Sequence, residues 1–203
     1  MSVWIKSDSL GENEQGRIVD KSDSSFAVNG FALVTIVAGG QNSVLFNIKN
    51  TGDIYAPITL GAWQHVLVTV NSAAYASMYI NGVFKDGKTQ AALSGITTAN
   101  PLIIGNLFSD GRGYDGRISD LRVYNRALSA TEVKNLYKSY DPVVQTNSLD
   151  KGLIAHFPLN RAAKQSSTKF ADTSPYARIG TITAGASAGL SAELMILTEP
   201  IPK

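Results

Sequence analysis

Apolar and polar residues alternate with period two along most of the chain, which predicts strands rather than helices. The segments "SVWIKSD" (2–8), "SFAVNGFALVTIVAG" (25–39), "SVLFNIKN" (43–50), "DIYAPITL" (53–60), "WQHVLVTVN" (63–71), "ASMYINGVFKDGK" (76–88), "PLIIGNL" (101–107) and "GRISDLRVYN" (116–125) each read as a strand or hairpin. Asn, Gly, Asp and Ser clusters separate them. Many short strands with regular turn signals and no alternating helices predict an all-β, antiparallel sandwich. In "MYINGVFK" the pair Asn81-Gly82 suits the positive φ of a two-residue type I′ turn, setting Ile80 against Val83 and Tyr79 against Phe84. In "HVLVTV", Val66, Val68 and Val70 share one face and His65, Leu67 and Thr69 the other, the pattern of a strand with one face in a core. In "RISDLRVYN", Ile118 is out of phase with Leu121 and Val123, so a bulge is expected near Ser119-Asp120.

A period of 3.6 shows once. "SATEVKNLYKSY" starts with Ser129 at the N-cap and Glu132 three residues on, a capping box, and Val133, Leu136 and Tyr137 make a short apolar stripe. A helix near 129–138 should pack on the sandwich edge. The stretch 141–150, "DPVVQTNSLD", reads as a linker. After it "KGLIAHFPLN" looks like another opening strand, and "LMILT" like a closing one within 186–203.

Composition narrows the class. Of 203 residues 44% are hydrophobic and 17% charged, with 18 glycines, which suits a globular, turn-rich β-domain with a sizeable core. A net charge of +2 without a basic stripe gives no basis for a nucleic-acid partner. The absence of cysteine excludes a disulfide framework, a thiolate metal site and a Cys nucleophile. No apolar run approaches the roughly 20 residues of a membrane helix, and "MSVWIKSDSLG" lacks the signature of a secretory signal. Synthesis in the cytoplasm followed by release onto a virion or an extracellular surface is the expected location.

The segments "GAWQHVLVTVN" (61–71), "MYINGVFKDG" (78–87), "PLIIGN" (101–106) and above all "YDGRISDLRVYNRALSATEVKNLY" (114–137) resemble, in this order, laminin-G-like domains of the concanavalin A-like lectin and glucanase superfamily. The resemblance implies a jelly roll of two antiparallel sheets. Residues 1–140 then look like such a domain without its first strands, and the missing part resembles 151–185, where "KGLIAHFPLN" matches the opening strand and "FADTSPYARIGTITAG" the segment after it. The segment 151–203 is therefore expected to complete the same domain, as a circular permutation, or a neighbouring copy, by strand donation. A chain cut from a tandem array, with both edges open, is disfavoured because unpaired strand edges aggregate.

Hydrolytic relatives carry Glu-x-Asp-x-Glu on one strand, so that two carboxyls flank a glycosidic bond. Here Glu12 and Glu14, and Asp20 and Asp23, lie in turn-like polar stretches and read as solvated loop charges. His65 reads as a packed side chain and His156 as a strand residue on the polar face; no G-x-S-x-G elbow, P-loop, dinucleotide fingerprint or zinc spacing is present. A non-catalytic module is expected. The resemblance implies a calcium site, with Asp120 and Asp172 at the matching positions, though Ser119 and Pro175-Tyr176 depart from the family's pattern. For a glycan, an aromatic platform with polar neighbours is expected in "SDGRGYDG", namely Asp110, Arg112, Tyr114 and Asp115, or at Tyr75. Carbohydrate binding or adhesion is thus the leading expectation. The alternatives are a structural virion, tail or fibre subunit of a bacteriophage, homo-oligomeric through residues 151–185, and a glycoside hydrolase.

Overall fold

The computed structural model describes residues 1–23, 29–48, 51–89, 100–107, 111–139, 149–159, 164–166 and 169–181. The expected closing strand in 186–203, most of the linker, and Asp110 lie outside these residues. In chain order the elements are β1 (Ser2–Ser7), β2 (Arg17–Ser22), β3 (Gly30–Ala38), β4 (Gln41–Ile48), β5 (Thr51–Pro57), β6 (Gln64–Val70), β7 (Tyr75–Ile80), β8 (Val83–Thr89), β9 (Ile103–Ile104), β10 (Gly116–Tyr124), α1 (Ala130–Lys138), β11 (Leu153–Phe157), β12 (Lys164–Ser166), β13 (Lys169–Ala171) and β14 (Ile179–Thr181). Two antiparallel sheets form the sandwich, one ordered β11-β10-β1-β6-β7-β8 and the other β5-β4-β3-β2-β9; β12, β13 and β14 make a small third sheet. Val3, Ile5, Val66, Val68 and Leu121 of the larger sheet meet Ile18, Leu33, Phe46 and Ile54 of the smaller in one core. Fully burying each such side chain is worth about 1.5–3 kcal/mol.

The local expectations for the hairpin, the bulge and the cap hold. Asn81 and Gly82 both have positive φ, 52° and 75°, and Ile80 pairs with Val83 and Tyr79 with Phe84. Opposite β1, Ser2 pairs with Arg122 but Trp4 with Ser119, so one residue of β1 faces two of β10. The extra residue is Asp120, at φ 48°, a left-handed conformation that Asp tolerates better than most side chains. The bulge restores phase, and Ile118 and Leu121 both reach the core. In α1 the Ser129 hydroxyl accepts from the Glu132 N–H while the Glu132 carboxylate accepts from the Ser129 N–H at 2.9 Å.

Three expectations need correction. The helix does not sit at the sandwich edge: Val133 and Leu136 bury against Leu67 and Tyr124, so α1 lies on the outer face of the six-stranded sheet. Consequently β6 is buried on both faces. His65 is fully buried, its ring 5.3 Å from that of Trp4 and 6.0 Å from that of Tyr137, and burial pushes its imidazole down to about 3. Finally, Asp20 is not a solvated loop charge. Residues Arg17–Ser22 form β2, missed because only Ile18 and Val19 of "RIVDKS" are apolar, and the buried Asp20 carboxylate lies 3.4 Å from the buried Arg17 guanidinium and accepts from the Ser22 hydroxyl at 2.6 Å.

The strand resembling a domain's beginning closes the far edge of the larger sheet. β11 pairs antiparallel with β10 of its own chain, with Leu121 opposite Phe157 and Val123 opposite Ala155. Ala155, Phe157, Leu159 and Phe170 enter the main core, and Leu149 and Leu153 join the cluster beneath α1. Thus the tail carries part of both cores. Among the described residues no helix is long and apolar enough to cross a membrane.

Candidate functional site

The bulge in β10 aims Asp120 along the sheet toward β11, where His156 stands beside it. His156 Nε2 lies 2.5 Å from Asp120 Oδ1, and Arg122 Nε donates to both carboxylate oxygens, at 3.2 and 3.1 Å. On its other side the His156 ring meets Thr173, with Nδ1 2.8 Å from the hydroxyl oxygen. Burial pushes the Asp120 carboxyl up, but the His156 hydrogen bond and the Arg122 charge outweigh it and hold the group below the usual carboxylate range.

β11 is an edge strand, and the turn 172–178 closes that edge with side chains instead of another strand. Asp172 Oδ1 accepts from the backbone N–H of His156 at 2.8 Å and of Ser174 at 2.8 Å, and Oδ2 accepts from the Arg178 N–H at 3.3 Å. The His156 carbonyl accepts from the Thr173 N–H at 2.8 Å, and the Ile154 carbonyl takes the Ser174 hydroxyl at 3.4 Å and the Arg178 guanidinium. The bond from Ser174 back to Asp172 is an Asx turn, so "DTSPYAR" encodes its own shape. Burial raises the Asp172 carboxyl, yet the N–H groups of His156 and Ser174 prevail and lower it.

This turn carries an exposed surface. Tyr176 is 56% exposed with the Arg178 guanidinium 4.7 Å above its ring, and Ile179 is exposed beside them in sequence. Next to it a shallow cleft of about 340 Å³ is lined by Asp150, Leu153, His156, Thr173, Ser174 and Pro175. Hydroxyls, a carboxylate, a guanidinium and an aromatic ring therefore sit together on a hydrogen-bonded turn.

Thr173, His156 and Asp120 stand in line as a hydroxyl, an imidazole and a carboxylate do in acyl-transfer enzymes. The partner such chemistry needs, a pair of N–H groups facing a developing oxyanion, is not supplied by this turn. Its N–H groups are committed elsewhere: Thr173 to the His156 carbonyl, Ser174 and Arg178 to Asp172, Tyr176 to the Ser174 hydroxyl and Ala177 to the Ser174 carbonyl. The line joins β10 and β11 to the turn after β13. The acidic pairs are equally unsuited to glycoside hydrolysis, since Asp20 is bound to Arg17 and Glu12 accepts from the Gly113 N–H at 2.7 Å, pinning two loops together.

The residues singled out for a glycan separate. Tyr114 is not on a loop tip: it is 4% exposed, belongs to the main core, and shares a hydrogen bond of 2.8 Å with Ser7. Asp115 accepts from the Ser9 hydroxyl at 2.7 Å, and the Arg112 backbone bridges Asn106 and Arg17. That loop is clamped down by its own polar residues, so the expected platform at Tyr114 is corrected. Tyr75 does stay on the surface, 38% exposed, its ring lying over Gly87, where an added Cβ would come within 2.7 Å of the Tyr75 hydroxyl. The expected calcium ligands do converge, through His156. They do not fit the ion: calcium takes about 6–8 oxygens, whereas here the oxygens of Asp120 and Asp172 already accept N–H groups and Arg122 holds a positive charge 3.1 Å from one of them. Among the described residues no group of three or more His, Asp or Glu side chains could hold a metal. Sequence reasoning missed Tyr176 and Arg178 as surface groups, although a Pro-Tyr step just after an Asx-turn Asp was the available signal.

Comparison with known proteins agrees with this architecture. A sequence profile of the Concanavalin A-like lectin/glucanases superfamily matches residues 1–134. Paraclostridial mosquitocidal protein 1 of Paraclostridium bifermentans is 32% identical over 83 residues, 41% of this chain and 7% of that protein. Botulinum-like toxin eBoNT/J of an Enterococcus species is 31% identical over 153 residues, 69% of this chain and 12% of the toxin. The chain thus spans about a tenth of the length of these relatives. Among solved structures, one from Bacteroides ovatus, described as a candidate carbohydrate binding protein, superposes with a TM-score of 0.67 at 16% identity over 90% of this chain and 53% of its own. At that identity the likeness speaks for the fold, and its coverage takes in residues beyond 134. With two antiparallel sheets in jelly-roll arrangement and a profile match over most of its length, the chain belongs to the concanavalin A-like lectin/glucanase superfamily.

Proposed function

We propose that the chain is a non-catalytic carbohydrate-binding module whose site is the turn 172–178 and the cleft beside it. One observation carries this reading: an aromatic ring more than half exposed, held under a guanidinium on a turn whose backbone is hydrogen-bonded almost throughout, adjoins a cleft with hydroxyl and carboxylate groups. Sugars present C–H faces that stack on such rings and hydroxyls that pair with such groups. A turn already ordered loses little conformational entropy when it binds. The carbohydrate binding in the description of the Bacteroides ovatus relative supports the same reading.

Binding to a glycan array, followed by titration of the best ligand, tests it. Tyr176→Ala should weaken binding about 10- to 30-fold, as loss of an aromatic anchor does. Tyr75→Ala serves as the counter-variant, because Tyr75 is the exposed aromatic marked from sequence and lies on β7, toward the end of the six-stranded sheet away from β11. Binding that survives Tyr176→Ala and is lost in Tyr75→Ala moves the site to the hairpin; no binding to any glycan on the array sinks the reading.

A further inference from the structure

We infer that Asp120, Arg122, His156 and Asp172 form a metal-free clamp, in which the Arg122 guanidinium and the ring and backbone N–H of His156 occupy the carboxylate oxygens that calcium would take and thereby fasten the tail to the body of the domain. Each carboxylate belongs to a different part of the chain, Asp120 to the bulge of β10 and Asp172 to the turn after β13, and His156 on β11 touches both, Asp120 through its ring at 2.5 Å and Asp172 through its backbone N–H at 2.8 Å. Calcium coordination would require oxygens at about 2.3–2.6 Å in place of these N–H donors. For Asp120 it would bring a dication close to the guanidinium that donates to both of its oxygens, and like charges at such separation in a partly buried site repel strongly. For Asp172, whose side chain is fully buried, it would strip the N–H groups of His156, Ser174 and Arg178 of their acceptor, leaving the buried Ser174 donor and two part-buried ones unpaired. The clamp is complete without the ion.

The groups around the clamp support this. Arg178 adds a further positive charge 3.9 Å from Asp172, and Thr173 occupies the remaining ring nitrogen of His156. The positive groups are therefore built into the same strands and turn as the carboxylates.

The test is the unfolding temperature of the full chain, measured by circular dichroism in EDTA and again in millimolar calcium. The two values are expected to agree within about 1 °C, and a rise of about 5 °C or more in calcium overturns the clamp, being the signature of an ion bound to the native state. His156→Ala should lower the unfolding temperature by the same amount in both buffers. A loss seen only in calcium overturns it as well, since His156 would then be supporting a metal. Unfolding is read without any glycan, so a failure of the carbohydrate reading leaves this inference standing, and the reverse.

Discussion

The two edges of the six-stranded sheet are built on different principles. At one edge β7 and β8 are joined by Asn81-Gly82, and the turn itself sets the first pairs, Ile80 with Val83 and Tyr79 with Phe84. At the other, β10 meets β11 across the helix and the linker, and the register is held by a bulge, a histidine and the carboxylates of Asp120 and Asp172. The first edge is secured by turn chemistry, whose cost of closure is small. The second requires a long loop to close before any contact forms, so its strength must come from burial and a polar clamp.

This difference can be broken or sharpened by experiment. The largest effect is expected from a chain ending at Tyr140, which removes Ala155, Phe157, Leu159 and Phe170 from the main core and leaves β10 as a bare edge. It should be insoluble or unfolded at room temperature, because the loss of even one large core residue costs about 3–5 kcal/mol, a large share of a domain's stability. A stable monomer by sedimentation would break the comparison. The intact chain is expected to sediment as a monomer, and a concentration-dependent polymer would show the second edge to be completed by a neighbouring copy.

A smaller effect is expected at the clamp. Asp172→Ala leaves the N–H groups of His156, Ser174 and Arg178 without an acceptor and should cost about 1–3 kcal/mol in urea unfolding. A change within error would show the edge to be held by the apolar contacts alone. The smallest effect is expected at the hairpin: Gly82→Ala at φ 75°, with Tyr137 3.2 Å from the new Cβ, should cost about 1 kcal/mol. A cost as large as that at Asp172 would erase the contrast, showing the local edge to depend on the packing of α1 as much as on its turn.

The elements were legible wherever one side chain or one turn decided the matter. The capping box at Ser129 and Glu132, the I′ turn at Asn81-Gly82 and the bulge at Asp120 follow from spacing alone, and each stands where the spacing puts it. Placement relative to other elements was less so. Nothing in "HVLVTV" tells that a helix will cover its second face, and nothing in "RIVDKS" tells that Asp20 will be neutralised by Arg17 beneath the surface. The candidate site was half legible: Asp120 and Asp172 were marked, but as ligands for a cation, because a carboxylate's role depends on which donors reach it. Tyr114 was misjudged for the same reason, since a Tyr in a glycine-rich loop reads alike whether it points out or into the core.

By itself the sequence determined most of the strands, the Asn81-Gly82 turn, the bulge and the helix cap, since these rest on periodicity and on the backbone preferences of Gly, Asn, Asp and Ser. Only the tertiary structure decided that the late strand pairs with β10 of its own chain, that His156 joins two carboxylates 52 positions apart, and that Tyr176 instead of Tyr114 meets the solvent. Those outcomes depend on which surfaces meet across long stretches of chain. Burial and electrostatics act on such meetings through space, where sequence spacing holds no record of them.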